Sequence, residues 1–323
     1  MPLPEKQLIQ RIARLAGPRR SGAVRLGIGD DTAVIRPPRG HELLVTTDFS
    51  LEGTHFRGEW HSPQSVGHRC LCRGLSDIAA MGGQPIAAFL SLATPADVPQ
   101  KWIDGFLSGF LALARRTGTT LAGGDIAQSR HGILADVMVV GSVPAGKAVP
   151  RAGARPGHII YVTGALGGSA SILRRLYAGE RRLPDPKAKA DRKHFFPEPC
   201  LGVGRYLRER RLAHAMIDVS DGLSTDLHHI CKASRVGAII NELLVPLAAG
   251  AQPHDALHGG EDYELLFTAS PKAKVPIEIH GVPVTEIGWV TKGKNVMISD
   301  MKTKPRKLEA EGWQHFTPSR STP

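Results

Sequence analysis

Six short segments of this chain set an acidic residue beside glycine, serine or threonine: Gly29-Asp30-Asp31, Thr46-Thr47-Asp48, Ser76-Asp77, Gly123-Gly124-Asp125, Asp218-Val219-Ser220-Asp221-Gly222 and Gly259-Gly260-Glu261-Asp262. Each adjoins an apolar run, so the chain is punctuated into short helices and strands. Residues 41–48 read as a strand ending in polar side chains. Residues 63–81 read as a helix, because Val66, Cys70, Leu71, Leu75, Ile78 and Ala79 recur at three- and four-residue spacing and Gly82-Gly83 follows. A strand over 87–93, an amphipathic helix over 101–116 and strands over 119–122 and 133–143 complete a mixed βαβαβ order, with Gly123-Gly124-Asp125 as the turn between the last two. The pattern predicts one α/β domain over residues 1–147. Residues 148–157, rich in Pro, Gly and Arg, predict a linker opening a second α/β domain over 148–323. There, strands over 158–162, 215–218 and 264–268 alternate with helices after Gly168 and over 222–234. From Lys292 the tail is basic, with few order signals besides Trp313 and Phe316.

Bulk properties narrow the function classes. A chain of 323 residues, 41% hydrophobic and 22% charged, suits two globular domains. Cys70, Cys72, Cys200 and Cys231 show no C-x-x-C spacing, which suggests neither a zinc site nor a thioredoxin-like site and fits a reducing cytoplasm. Residues 1–15 form an amphipathic helix pattern carrying Glu5, Lys6, Arg11 and Arg14, unlike a signal peptide. No apolar run approaches the roughly 20 residues that span a bilayer. A cytoplasmic protein without a membrane partner is expected. The net charge of +11 fits a nucleic-acid binder or a basic surface for small anions. The basic residues form no stripe with interleaved aromatics, which favours the second. Their densest cluster, 174–193, contains Pro184 and Pro186 and reads as a loop.

The chemistry is best judged first by what is missing. Gly141 to Lys147 has Walker A spacing, but Ala148 stands where a hydroxyl would reach magnesium. Protein-kinase signatures, H-E-x-x-H and G-x-S-x-G are absent. What remains is the carboxylates. A lone Gly-Asp pair serves equally well as a turn. Clustered carboxylates, however, repel one another and any polyphosphate; two unit charges 4 Å apart cost roughly 4 kcal/mol at an effective dielectric of 20. Divalent cations resolve that cost, and magnesium takes oxygen ligands from one or two carboxylates together with substrate phosphates. Asp218 closes a strand and Asp221 opens a helix, which aims both into the crevice where open α/β sheets bind ligands. Asp221 is equally placed to be a plain helix cap. Asp226, inside the helix, reads as structural or as a solvated face. Asp77 sits near a helix C-terminus, where a carboxylate opposes the macrodipole by up to about 1 kcal/mol and a cation would offset the cost. Gly123-Gly124 either admits a phosphate close to the backbone or makes a hairpin turn.

Taken in order, Gly27-Ile-Gly-Asp-Asp-Thr-Ala-Val-Ile35, Thr46-Thr-Asp-Phe-Ser-Leu-Glu-Gly-Thr-His-Phe56, Leu75-Ser-Asp-Ile-Ala-Ala-Met-Gly82, Gly123-Gly-Asp125, Arg151-Ala-Gly-Ala-Arg-Pro-Gly157, Ile217-Asp-Val-Ser-Asp-Gly-Leu-Ser224 and Gly259-Gly-Glu-Asp-Tyr-Glu-Leu-Leu-Phe267 resemble the thiamine-monophosphate kinases over roughly residues 5–316. The resemblance implies two α/β domains of the aminoimidazole ribonucleotide synthetase type, with the N-terminal sheets pairing across a homodimer. It implies ATP-dependent conversion of thiamine monophosphate to thiamine diphosphate with several magnesium ions. Asp31, Thr46, Thr47, Asp48, Asp77, Asp125, Asp218 and Asp221 match the family's magnesium positions, and Asp30 falls beside one. Gly124, Asp125, Arg151 and Ser220 match its ATP contacts; His55, Glu261 and Trp313 match its thiamine-phosphate contacts. Leu107 stands where some members carry an aromatic near the nucleotide, and the basic insert 181–193 departs from the family. The reaction implied is direct in-line phosphoryl transfer, with Asp48, Asp77, Asp221 and Arg151 at the phosphates. The acceptor phosphate, with a second pKa of about 6, needs no general base. Trp313, with Phe316 near it, would stack on the cationic thiazolium or the pyrimidine, or else plug the tail onto the core. The rival readings are another ATP-dependent synthetase of this fold, of the aminoimidazole ribonucleotide or selenophosphate type, and a non-enzymatic basic protein that binds nucleic acid.

Overall fold

Apolar residues at helical spacing form α1 (Glu5–Ala16), which buries Leu8 and Ile12. The computed structural model describes residues 1–18, 20–180, 192–300, 302 and 304–316; most of the basic insert 181–193 lies outside them. The chain divides into two units, Met1–Ala148 with Gly179–Arg205, and Val149–Ala178 with Tyr206–Pro323. Among the described residues no helix is long and apolar enough to cross a membrane.

In the first unit, β1 (Val24–Leu26) and β2 (Val34–Ile35) pair antiparallel. They precede β3 (His41–Leu51), α2 (Pro63–Ala80), β4 (Gln84–Thr94), α3 (Gln100–Thr117), β5 (Thr120–Gln128) and β6 (Leu134–Pro144). The four long strands form one sheet in the order β3-β6-β4-β5. Only β4 and β5 run parallel, as a connection through α3 requires. Ser62 caps α2 by accepting the Ser65 N–H at 3.2 Å, and Pro63 occupies the first turn, where its missing N–H costs nothing. The two helices cross closely through glycine: a Cβ on Gly67 would lie 1.9 Å from the Phe106 carbonyl oxygen, and one on Gly109 would lie 1.9 Å from that of Gln64. Leu107, at the position some relatives fill with an aromatic, is fully buried in α3.

Gly123-Gly124-Asp125 is not a turn. These residues lie within β5, and the chain reverses after Gln128. The register shifts between Ala88 and Phe89, and Gly124 takes φ +143° with its Cα against β4. A Cβ there would sit 1.8 Å from the Leu90 carbonyl oxygen, so glycine is needed for strand contact and not for reversal.

His68, buried on α2, donates its Nε2–H to the Pro197 carbonyl at 2.7 Å. Burial pushes its pKa down from 6.5 to about 4. The unfolded chain therefore binds the extra proton first as pH falls, and stability drops between pH 6.5 and 4 by roughly 3 kcal/mol from this group. Denaturant melts across that range should show the slope, and His68→Gln should flatten it; an unchanged slope would remove His68 as its source.

In the second unit, β7 (Ile159–Thr163), α4 (Gly168–Tyr177), α5 (Leu201–Glu209), β8 (Ala215–Val219), α6 (Leu223–Ser234), β9 (Gly237–Asn241), α7 (Pro253–His258) and β10 (Glu264–Ala269) follow in order. The division between Arg205 and Tyr206 falls inside α5. After β11 (Glu278–Ile279) come β12 (Val282–Thr291), β13 (Val296–Ser299) and β14 (Arg306–Lys307). The main sheet has the order β14-β13-β9-β12-β7-β10-β8, and its core includes Ile160, Val162, Ile217, Leu227, Leu266 and Ile298. The tail after Lys292 is thus more ordered than its composition suggests: β13 pairs parallel with β9, and β14 pairs with β13. Residues 148–157 also do more than link. Val149 and Ala154 are buried, and the Ser234 hydroxyl accepts the Gly153 and Ala154 N–H groups at 3.1 Å each.

Candidate active site

On β3, residues two apart share a face, so Thr46 and Asp48 point together while Thr47 points to the opposite, exposed side. The Thr46 hydroxyl donates to the Asp77 carboxylate on the last turn of α2. Packing of α2 on this face is close, since a Cβ on Gly74 would meet Val139 Cγ2 at 2.6 Å and Thr46 Cγ2 at 3.6 Å. Asp31 is exposed in the segment between β1 and β2, its N–H donated to Asp30 Oδ1 at 3.2 Å. His55 follows β3 and accepts the Leu51 N–H on Nδ1 at 2.9 Å.

Sheet register separates the carboxylates. Asp48 pairs with Val137, Val137 with Leu90, and Leu90 with Gly124. Asp125 belongs to the next row, with Ser91, Asp136 and Phe49. Asp48 and Asp125 therefore lie on opposite edge strands, about 14 Å apart at three strand spacings, and on opposite pleat faces.

In the second unit the candidates gather on one loop. Asp218 is buried near the end of β8, and Gly222, not Asp221, holds the N-cap position of α6 with φ +119°. The loop is held from behind by Asp226. Its Oδ2 accepts the N–H groups of Ser220 at 3.2 Å and of Asp221 and Gly222 at 3.1 Å each. Asp226 is buried, and burial first, then the Asp218 and Asp221 charges, raise its carboxyl pKa well above the ordinary value. Of the two roles the sequence left to Asp226, the solvated face is excluded.

Two further segments dock on this loop through main-chain bonds. Glu261 donates its N–H to the Ser220 carbonyl at 2.8 Å, and Tyr263 to that of Val219 at 2.9 Å. Trp313 donates its N–H to the Asp221 carbonyl at 3.0 Å. Gly260 is needed for the first contact, because a Cβ would lie 2.4 Å from the Ser220 carbonyl oxygen. Glu261 and Tyr263 take φ +66° and +53°, a conformation that strains residues bearing a Cβ. Between them Asp262 turns inward and accepts the Gly167 and Ser169 N–H groups at 2.6 and 3.3 Å, binding the start of α4. The Trp313 ring is 51% exposed, which does not fit a hydrophobic plug, and Phe316 is fully exposed. Arg151 is exposed, and its carbonyl accepts from the Ser234 hydroxyl at 3.3 Å.

His229 escaped sequence reasoning. Its ligating atom and those of Asp221 and Asp226 lie within 4.8 Å of one another. Burial and then the Arg151 charge lower its pKa. The Asp226-x-x-His229 spacing on α6 was the available signal, since residues three apart share a helix face.

Comparison with known proteins identifies the family of the chain. Residues 29–143 match the N-terminal domain of AIR synthase related proteins, and residues 155–300 match their C-terminal domain. The chain is 37% identical to the thiamine-monophosphate kinase of Escherichia coli K12 over 309 residues, covering 91% of this chain and 92% of that enzyme. The chain belongs to the thiamine-monophosphate kinase family. Among solved members, the enzyme from Stenotrophomonas maltophilia K279a superposes with a TM-score of 0.82 at 33% identity, over 96% of this chain and 98% of that one. AaThiL, solved in complex with AMPPCP and TMP, gives 0.76 at 31% identity, over 96% of each chain. The two α/β domains expected from the sequence are those of this family. The hydrogenase-maturation protein HypE, at 17% identity and a TM-score of 0.75, shares the fold.

Proposed function

We propose that this chain transfers the γ-phosphoryl group of ATP directly to thiamine monophosphate, giving thiamine diphosphate. The observation that carries the proposal is the convergence on residues 218–222: Glu261 and Trp313, matched to the acceptor, are hydrogen-bonded to the main chain of the loop bearing Asp218, Ser220 and Asp221. Ser220, Gly124, Asp125 and Arg151 are assigned to ATP, and His55, Glu261 and Trp313 to thiamine monophosphate. The half-exposed Trp313 ring is available to stack on a cationic heterocycle, a contact worth roughly 0.5–2 kcal/mol.

Magnesium fits the donor set. Thr46, Thr47, Asp31, Asp48, Asp77, Asp125, Asp218 and Asp221 offer only hard oxygen ligands. The ions would neutralise phosphate charge as the two anions approach. The separation of Asp48 from Asp125 supports more than one ion. Asp48, Asp77, Asp221 and Arg151 then align and balance the charge of the reacting phosphates.

A homodimer and a cytoplasmic setting belong to the same reading. Leu43, Val45 and Phe49 place an exposed apolar row along edge strand β3, with Val45 60% exposed, a surface suited to pairing with a second copy. Thiol chemistry of the selenophosphate type is disfavoured: Cys70, the first cysteine, is buried and its pKa is pushed up to about 12. The decisive assay follows diphosphate formation from thiamine monophosphate and ATP, with and without magnesium. Magnesium-dependent product is expected. No product with magnesium present would overturn the assignment, and a stable phosphoenzyme would overturn direct transfer.

A further inference from the structure

His254 and His258 stand four residues apart on α7, on one face, with ring centroids 4.9 Å apart. Glu311, from the segment after β14, meets them, and the ligating atoms of all three lie within 4.8 Å of one another. His258 Nδ1 lies 3.0 Å from the Ser224 hydroxyl on α6, which fixes the ring and leaves its other nitrogen for a ligand. Metal-binding imidazoles are held in this way through their second nitrogen. Arg306 opposes a cation there but is itself paired with Glu242 at 3.1 Å. His254 and Glu311 are exposed, so an ion has a path in.

We propose that His254, His258 and Glu311 form a binding site for a zinc-class divalent ion, distinct from the oxygen-only magnesium positions. Two imidazoles and one carboxylate suit zinc and its first-row neighbours and leave a fourth position for water, whereas magnesium prefers oxygen ligands alone. The site has a structural consequence. Gly312, next to Glu311, donates its N–H to Thr225 Oγ1 at 3.0 Å, and Trp313 donates to the Asp221 carbonyl at 3.0 Å. A bound ion would therefore clasp the Trp313 segment to α6 and α7.

Untagged full-length protein should be titrated with zinc chloride in a calorimeter, with magnesium in large excess. One zinc per chain at this site is expected. His254→Ala and Glu311→Gln, both at exposed positions, should each weaken binding by about 10-fold or more. Zinc should slow amide hydrogen exchange at Gly312 and Trp313 in the wild type and not in Glu311→Gln. Asp221→Asn should keep the site. No zinc binding, unaltered affinity in the His254→Ala/Glu311→Gln double variant, or loss of the ion in Asp221→Asn would each overturn the proposal.

Discussion

Asp221→Ala is expected to lower turnover on the order of 10²–10³-fold while leaving the chain folded, by analogy with removal of one charge-stabilising group from other active sites. Asp221 is tied to Asp226 and to the Trp313 segment through its main chain. Its N–H goes to Asp226 and its carbonyl to Trp313, so alanine preserves these bonds. Its carboxylate is not the helix cap, because Gly222 holds that place. On the proposed assignment, the expected loss is charge placement at the phosphates. Asp48→Ala should act alike, since Asp48 lies on a strand whose ladder bonds are main-chain. Steady-state kinetics beside a thermal melt make the check. Wild-type turnover in either variant would sink the metal assignment, and a collapsed melting temperature would move the residue into the scaffold.

Asp226→Ala should do the reverse, unfolding the chain more readily and losing activity as a result. It strips the carboxylate from three amides at a buried site. Each buried donor left unsatisfied costs about 1–3 kcal/mol, so a loss of several kcal/mol is expected. Relief of repulsion with Asp218 and Asp221 returns part of it. Asp226→Asn keeps an oxygen acceptor and should recover much of the stability. Urea unfolding of the two variants separates the cases; equal stability of Asp226→Ala and wild type would show that the loop holds without its clamp.

These two aspartates mark the limit of what the sequence reveals. Asp221 lies between Ser220 and Gly222 and Asp226 beside Thr225, and composition does not tell a carboxylate that faces a ligand from one that faces backbone amides. Asp262 makes the same point: adjacent to Glu261, it ties down α4 instead. Helices α2 and α3 were legible because their apolar residues recur at helical spacing and their ends carry Pro and Gly signals. The strand identity of Gly123-Gly124-Asp125 was not, because its cause is the Leu90 carbonyl, over thirty residues away in sequence. Strands β13 and β14 are too short to show a pattern and exist through pairing with β9 and with each other. The catalytic candidates were found through the order of weak motifs along the chain, which no single motif supplied.

The contacts that seat Glu261, Tyr263 and Trp313 on the aspartate loop run from amide to carbonyl. Such bonds are indifferent to the side chain each residue carries. The glycine at 260 must stay, but side chains assigned to the acceptor, such as that of Trp313, can change without breaking these main-chain bonds. On the proposed assignment, a lineage can therefore alter what is accepted while keeping the residues assigned to the phosphates in place. That separation is one physical route by which a single scaffold hosts several ATP-dependent chemistries.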